Sequence, residues 1–329
     1  MNIKPTDEAV LIGLDWGTSS LRAYLFNANG TVLDSRQSSQ GIMHLRRTAI
    51  EGGFDEAFEA ICGDWLDVAD IPVVAAGMVG SAQGWLEAPY VPAPVDCAPL
   101  TRALETLKTA RGTTVFIVPG IIQNGPMPNV MRGEETQIFG AFAAYPELKE
   151  ARRTLIGLPG THAKWAFTFD GELQRFLTFM TGEVFAVLRD YTILGRTMHP
   201  SSNNLDAAFL RGVDTAIRHS HLGVLATMFS VRTLGLTGEI GPEQQSDYLS
   251  GLLIGHELCG LSHLLVEEES TLNDWTVGLI GDERLCRRYQ LALSQMGYAD
   301  VRILQKTTEY GLFQIAWDAG LLAAPSAQD

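Results

Sequence analysis

Cysteine is sparse and scattered in this chain of 329 residues. Cys62, Cys97, Cys259 and Cys286 lie far apart and form no CxxC pair. That argues against a zinc module or a disulfide framework and leaves buried, inert thiols as the expectation. Lysine is rare too, with five in the chain, and 24 basic residues face 38 acidic ones, a net charge of −14. A nucleic-acid binder would show a basic face, so that class is set aside. A small anionic ligand survives the argument, because loops and helix N-termini bind phosphate without bulk positive charge. No window reaches the roughly 18 uninterrupted apolar residues of a membrane span, so no membrane partner is expected. The opening MNIKPTDEAV lacks the basic-then-apolar order of a secretory signal, and the cytoplasm is the expected location. The sequence also has no GxxxxGK(S/T), GxGxxG, GxSxG or HExxH pattern. His219 and His221 stand two apart, a spacing that splays them and disfavours a metal site.

What is present is ordinary globular composition, 46% hydrophobic and 19% charged, at a length that predicts two domains. An internal repeat supports that division. LIGLDWGTSSLRAYLFNANGTVLDS begins at Leu11, and LIGLPGTHAKWAFTFDGELQRF begins at Leu155. Each opens with the same four residues, gives a Gly-Thr pair, and runs into a second strand (21–26 and 165–169). Each then turns at a polar-Gly step, Asn29-Gly30 or Asp170-Gly171, into a third strand. The rest reads as mixed α/β. PVVAAGMVG and TVFIVPGII are short buried strands before glycine-rich loops, and WTVGLIG and VRILQ form a second strand set. Helices are predicted over 134–151, 184–194, 244–267 and 284–296, with another in EYGLFQIAWDAGLLAA. The domain boundary is expected near 145–155, and the tail PSAQD is expected to fray.

The apolar run LIGLDW ends in Asp15, and a bare carboxylate at the end of a buried strand is costly unless something meets it. The paired Gly-Thr turns suggest what does. Such turns aim backbone N–H groups and a hydroxyl beyond the strand ends. If the two halves pack about a pseudo-two-fold axis, both turns face one cleft and hold a polyphosphate between them. Asp15 then holds Mg²⁺ through water, since that ion keeps much of its hydration shell. Arg22 and Lys164 would lie close to the same phosphates.

LIGLDWGTSSLRAYLF resembles the first phosphate loop of the sugar kinase, heat-shock chaperone and actin superfamily. LIGLPGTHAKW resembles its second phosphate loop, VGLIGDERL its adenosine segment, and GLFQIAWDAG its domain-connecting helix. A finer resemblance, to the 2-dehydro-3-deoxygalactonokinase family, runs through AGMVGSAQGW, APY, NVMRGEETQ, PGTHAKW, MTGE and YLSGLLIG in that order. The second loop departs from the superfamily pattern of an acidic or amide residue before two glycines. Here Gly157 and Pro159-Gly160-Thr161 occupy it, as in the resembled kinases.

The resemblance implies an α/β, two-domain actin-like ATPase (ribonuclease H-like) fold, each domain a mixed sheet flanked by helices, with a cleft between. Residues 1–148 would carry the first phosphate loop and the sugar-acid pocket. Residues 149–329 would carry the second loop and the adenosine site, with a last helix at about 309–324 returning to the hinge. Gly311, Ala316 and Gly320 would permit close packing there. The implied reaction moves the γ-phosphoryl of ATP, with Mg²⁺, to the 6-hydroxyl of 2-dehydro-3-deoxy-D-galactonate, and the domains would close over the substrate. Two alternatives stay open: a kinase for another keto acid or sugar, and an ATP-switch protein that is not a kinase. Chain length and the polar GSAQGW loop weigh against the switch protein. Oligomeric state, monomer or homodimer, is left open.

Site expectations follow residue by residue. Asp15 is assigned to magnesium, against a plain capping aspartate. Gly17, Thr18, Ser19, Arg22, Gly160, Thr161 and Lys164 would contact phosphate, and Gly281 and Asp282 the adenosine; ordinary turns are the competing view. Glu135 resembles in position the catalytic glutamate of exopolyphosphatases, whose GxEEA stretch also opens a helix. It is narrowly preferred as base over Glu134, with Asp15 a further alternative; both glutamates would otherwise only complement the helix dipole. The substrate pocket would use Met78, Gly80, Ser81, Gln83 and Trp85, with Arg132 for the carboxylate and Glu183 for a hydroxyl. Trp85 serves equally well as a core aromatic, and Glu183 as a cap.

Overall fold

The protein is described from a computed structural model, which places residues 9–322 apart from 69 and 201–205. The tail expected to fray and residues 323–324 of the last expected helix lie outside the described residues.

The chain forms two compact units. The first comprises the described residues within Met1–Arg152, Phe169–Arg175 and Lys306–Asp329, and the second those within Arg153–Thr168 and Phe176–Gln305. In the first, β1 (Ala9–Trp16), β2 (Leu21–Asn27) and β3 (Val32–Ser38) form an antiparallel meander in which Asp15 pairs with Arg22. Helix α1 (Gly53–Leu66) leads to β4 (Val73–Ala76), which returns parallel to β1. Then come β5 (Tyr90–Pro92), α2 (Cys97–Arg102), β6 (Glu105–Lys108), β7 (Thr114–Ile117), β8 (Gly120–Gln123) and β9 (Asn129–Met131). The main sheet has the order β3-β2-β1-β4-β7-β6, and β5-β8-β9 make a small sheet of their own. Helices α3 (Glu134–Ala144) and α4 (Pro146–Glu150) complete this part of the chain.

The second unit repeats the plan. Strands β10 (Arg153–Leu158), β11 (Ala163–Phe169) and β12 (Glu172–Phe179), of which residues 169–175 group with the first unit, precede helices α5 (Thr181–Tyr191), α6 (Asp206–His219), α7 (Val224–Thr227), α8 (Ser230–Leu236) and α9 (Gln245–Glu267). Strand β13 (Thr276–Ile280), α10 (Glu283–Gln295) and β14 (Val301–Leu304) follow, and α11 (Thr307–Asp318) belongs to the first unit. The sheet order is β12-β11-β10-β13-β14, with β13 parallel to both neighbours, as β4 is in the first sheet. Five strands of the first sheet, β3-β2-β1-β4-β7, share their order with the five of the second, the structural form of the sequence repeat; β6 is an addition at the first sheet's edge. This is the actin-like, ribonuclease H-like α/β fold.

Side chains alternate between the two faces of β1, and both faces are buried. Ile12, Leu14 and Trp16 pack with Phe54, Phe58, Ile61 and Trp65 of α1 on one face. Leu11 packs with Phe26, Val74, Leu312 and Ile315 on the other, so α11 covers the face that α1 leaves open. Helix α11 crosses α3 closely: a Cβ on Gly140 would lie 1.8 Å from the Thr307 carbonyl oxygen, and one on Gly311 would lie 2.0 Å from that of Thr136.

Several expectations change. The helix predicted over 134–151 breaks at Tyr145 (φ −132°, ψ 78°), because Pro146 disfavours helical backbone in the residue before it. TVFIVPGII gives two strands in different sheets, β7 and β8, with Pro119 between them. Gly320 is not a packing glycine: nothing lies within 4 Å of its would-be Cβ, and its φ of +68° marks the turn after α11. Helix α9 is long and apolar enough to cross a membrane, yet Leu249, Leu252, Leu258 and Leu261 are fully buried within the second unit.

Candidate active site

In the first unit, three chain segments meet at glycines. Strand β1 ends at Trp16, β4 ends just before Gly77, and α3 begins just after Gly133. A Cβ on Gly77 would lie 2.9 Å from the Trp16 carbonyl oxygen, and one on Gly133 would lie 3.2 Å from the Gly77 Cα. Both glycines have positive φ, +97° and +105°. Only glycine accommodates that backbone and that approach together.

The loop after β1 closes through the Gly17 N–H, which donates to the Ser20 carbonyl at 2.9 Å. Thr18 and Ser19 are exposed on it. A second segment braces it from below: Ile42 N–H donates to the Gly17 carbonyl (3.0 Å) and Met43 N–H to that of Thr18 (3.1 Å).

Asp15 keeps a quarter of its side chain exposed and lies 3.5 Å from Arg22 Nη1. Burial pushes its carboxyl above the ordinary range; Arg22 pulls it back, while Glu309 and Glu134 raise it further. Glu309, in the first turn of α11, has no signature in spacing that would link it to Asp15. No group of three or more His, Cys, Asp or Glu side chains is gathered as a metal site among the described residues. One carboxylate is enough for an ion held mainly by water and phosphate, so Asp15 fits magnesium.

The two glutamates opening α3 part company. Glu135 is fully buried, and both its carboxylate oxygens accept the Gly133 N–H (2.9 and 2.7 Å) while Thr136 Oγ1 donates at 3.2 Å. Burial, and then the charge of Glu134, push its carboxyl up to about 7. Glu134 is half-buried, and one oxygen accepts the Arg132 N–H at 2.9 Å. One residue of helix separates them by about 100°, which turns one inward and one outward.

Arg132 is buried. Its Nη2 donates to the Ala88 carbonyl (2.7 Å), its guanidinium lies 4.3 Å from the Tyr90 ring centroid, and Nε and Nη1 have no hydrogen-bond partner among the described residues. A Cβ on Gly80 would meet Nη1 at 3.0 Å, so the loop from Met78 to Ala88 is folded against this cation. Ser81 is spent within that loop, donating to the Met78 carbonyl at 2.7 Å. Met78 is half-buried and Gln83 exposed. Trp85 stacks on Phe54 (5.8 Å, 8°) and meets the edge of Trp16, which makes it part of the aromatic core.

In the second unit, the loop after β10 abuts the start of α5. A Cβ on Gly182 would lie 2.4 Å from the Gly160 carbonyl oxygen, and Glu183 N–H donates to the Thr161 carbonyl at 3.0 Å. The Glu183 carboxylate pairs with His162 Nε2 at 2.5 Å. Lys164 is buried in β11, with Nζ 3.4 Å from the His162 carbonyl. Gly281 (φ +148°) lies against Pro159, and Asp282 caps α10 by accepting the Leu285 N–H at 3.1 Å. A cavity of about 440 Å³ opens here, lined by Gly160, Thr161, Thr181, Gly182, Phe185, Ser250, Asp282, Arg284, Arg288 and Tyr289 among others. The structure thus brings Gly160, Thr161 and Asp282 to one cavity. Arg284, from the adenosine-like segment VGLIGDERL, joins them, and so do Phe185 and Arg288, which no motif announces.

A duplicated actin-like fold with a Gly-Thr loop after the first strand of each half is open to kinases and ATP-switch proteins alike, and the family and relatives that the chain matches make it a carbohydrate kinase. The chain belongs to the 2-keto-3-deoxy-galactonokinase family, whose model matches residues 15–315. It is 34% identical over 287 residues to the 2-dehydro-3-deoxygalactonokinase of Escherichia coli, covering 87% of this chain and 90% of that one. A crystal structure from Sinorhizobium meliloti, described as a 2-dehydro-3-deoxygalactonokinase protein, superposes with a TM-score of 0.81 at 32% identity, covering 93% of this chain and 98% of that chain.

Proposed function

We propose that the protein transfers the γ-phosphoryl of ATP to the 6-hydroxyl of 2-dehydro-3-deoxy-D-galactonate. The products are the 6-phosphate and ADP, in galactonate breakdown. The observation that carries the substrate assignment is Arg132, a buried cation with two nitrogens that have no hydrogen-bond partner among the described residues. An unsatisfied buried guanidinium costs free energy, and a carboxylate ligand removes that cost through charge-assisted hydrogen bonds. A plain hexose has no such group.

The first unit would hold the sugar acid, with Asp15 binding magnesium through water and the loop of Gly17, Thr18 and Ser19 contacting phosphate. Magnesium, when bound, neutralises charge developing on the phosphates. The base is assigned to Glu134 in place of Glu135. A base must come within hydrogen-bonding reach of the substrate hydroxyl, and Glu135 is enclosed and committed to Gly133 and Thr136. The second unit would hold the nucleotide in the cavity beside Gly160 and Thr161.

A coupled ADP-release assay tests the reading with 2-dehydro-3-deoxygalactonate, its gluconate epimer, galactonate and plain hexoses. Turnover confined to the first compound and lost in Asp15→Asn is the expected result. Turnover with another sugar acid would overturn the substrate, and ADP release indifferent to every sugar would overturn the kinase reaction.

A further inference from the structure

One buried carboxylate in the second unit has no part in the reaction described so far. Glu257, in the middle of α9, is 3% exposed. It accepts Trp165 Nε1–H at 2.7 Å on Oε1, and on Oε2 it accepts Tyr289 Oη–H at 2.8 Å and the Thr181 hydroxyl. The donors come from three elements, β11, α10 and α5. Burial pushes the carboxyl above its ordinary range, against the pull of all three donors. Such a group is expensive to keep in a core that apolar side chains could fill.

Its position gives it work to do. Thr181 and Tyr289 both line the 440 Å³ cavity, and Thr181 is followed at once by Gly182, which abuts the Gly160 loop. The indole of Trp165 lies under the strand that leads into that loop, since a Cβ on Gly157 would meet its ring at 2.8 Å. One carboxylate therefore ties the floor of the loop, the start of α5 and the α10 wall to a single point. We infer that Glu257 is a positioning residue for the nucleotide: it touches no ligand itself and fixes the cavity walls that do. The inference rests on reading that cavity as the nucleotide site.

The test measures Mg-ATP affinity by calorimetry on the full chain, together with KM for the sugar acid and kcat. Glu257→Gln keeps the volume but offers one acceptor oxygen to three donors. Its Kd for ATP is expected to rise about tenfold, with sugar-acid KM within about twofold of wild type. Tyr289→Phe removes one donor and leaves the carboxylate; it should move ATP affinity the same way by about threefold, and serves if the glutamine variant does not fold. A purely structural role would weaken ATP and sugar acid together, and that outcome overturns the inference. Ser250→Phe, which fills the cavity, separates the two layers. ATP loss in Ser250→Phe with normal affinity in Glu257→Gln and Tyr289→Phe would sink the inference alone. Unchanged ATP affinity in Ser250→Phe would place the nucleotide elsewhere and overturn both.

Discussion

Asp15 and Glu135 are both carboxylates withdrawn from water, and they differ in what water they keep. Asp15 retains a partly open face beside Arg22, so a cation can reach it; Glu135 has none and is served by its own helix terminus. A carboxyl held at about 7 when its ordinary value is 4.5 binds a proton in the folded state that the unfolded chain has already released. The native state therefore gains least at high pH: stability is fully present below about 4.5 and declines as pH rises to about 7, by about 3 kcal/mol. Glu135→Gln should flatten that decline in urea unfolding curves at pH 5 and pH 8. It should also retain far more activity than Glu134→Gln, whose kcat is expected to fall by about a hundredfold or more. A larger kcat loss in Glu135→Gln would return the base to Glu135. The sequence placed both glutamates at a helix start but could not say which turned inward, because one residue of helix decides it and the partner is Gly133's own N–H.

At the scale of elements, the α3–α11 crossing depends on two missing side chains. Alanine at Gly311 would add helix propensity of about 1 kcal/mol, yet its Cβ would press within 2.0 Å of a backbone oxygen that has nowhere to go. Overpacking of that kind costs about 1–3 kcal/mol or more, so the balance is unfavourable. Gly311→Ala is expected to lower the thermal midpoint by about 5 °C, read by circular dichroism; a midpoint at or above wild type would refute the packing argument. Gly311 was legible as a small residue on a helix face, whereas its partner Gly140 was not, since nothing local in IFGAFAA distinguishes a contact glycine. The break at Tyr145 was legible in principle from Pro146 alone. The periodicity of EETQIFGAFAA simply ran past it. Helices α1, α2, α6, α7 and α8 and strands β5, β6 and β9 have no counterpart among the sequence expectations; three- and four-residue strands carry too little pattern to register.

At the scale of the molecule, each unit should answer to its own ligand. Mg-ATP at about a hundred times its Kd stabilises the native state by about 2.7 kcal/mol, and the sugar acid does the same by its own site. In a thermal-shift titration, Arg132→Met should abolish the shift caused by the sugar acid and keep the one caused by Mg-ATP. Loss of both shifts would show that Arg132 holds the fold and not the ligand. The repeat LIGL…GT was enough to determine two related halves, because a strand, a Gly-Thr turn and a hairpin are short-range features written in consecutive residues. It also marked the two Gly-Thr loops, at Gly17-Thr18 and Gly160-Thr161, for the same reason. Only tertiary structure decided that Arg132 has nitrogens to spare, that Glu309 adds its charge to Asp15, and that Trp85 is core. It alone decided that Glu257 gathers Trp165, Thr181 and Tyr289. Those facts join residues from 31 to nearly 300 positions apart, where burial and hydrogen-bond geometry are set by packing and leave no periodic trace in the chain.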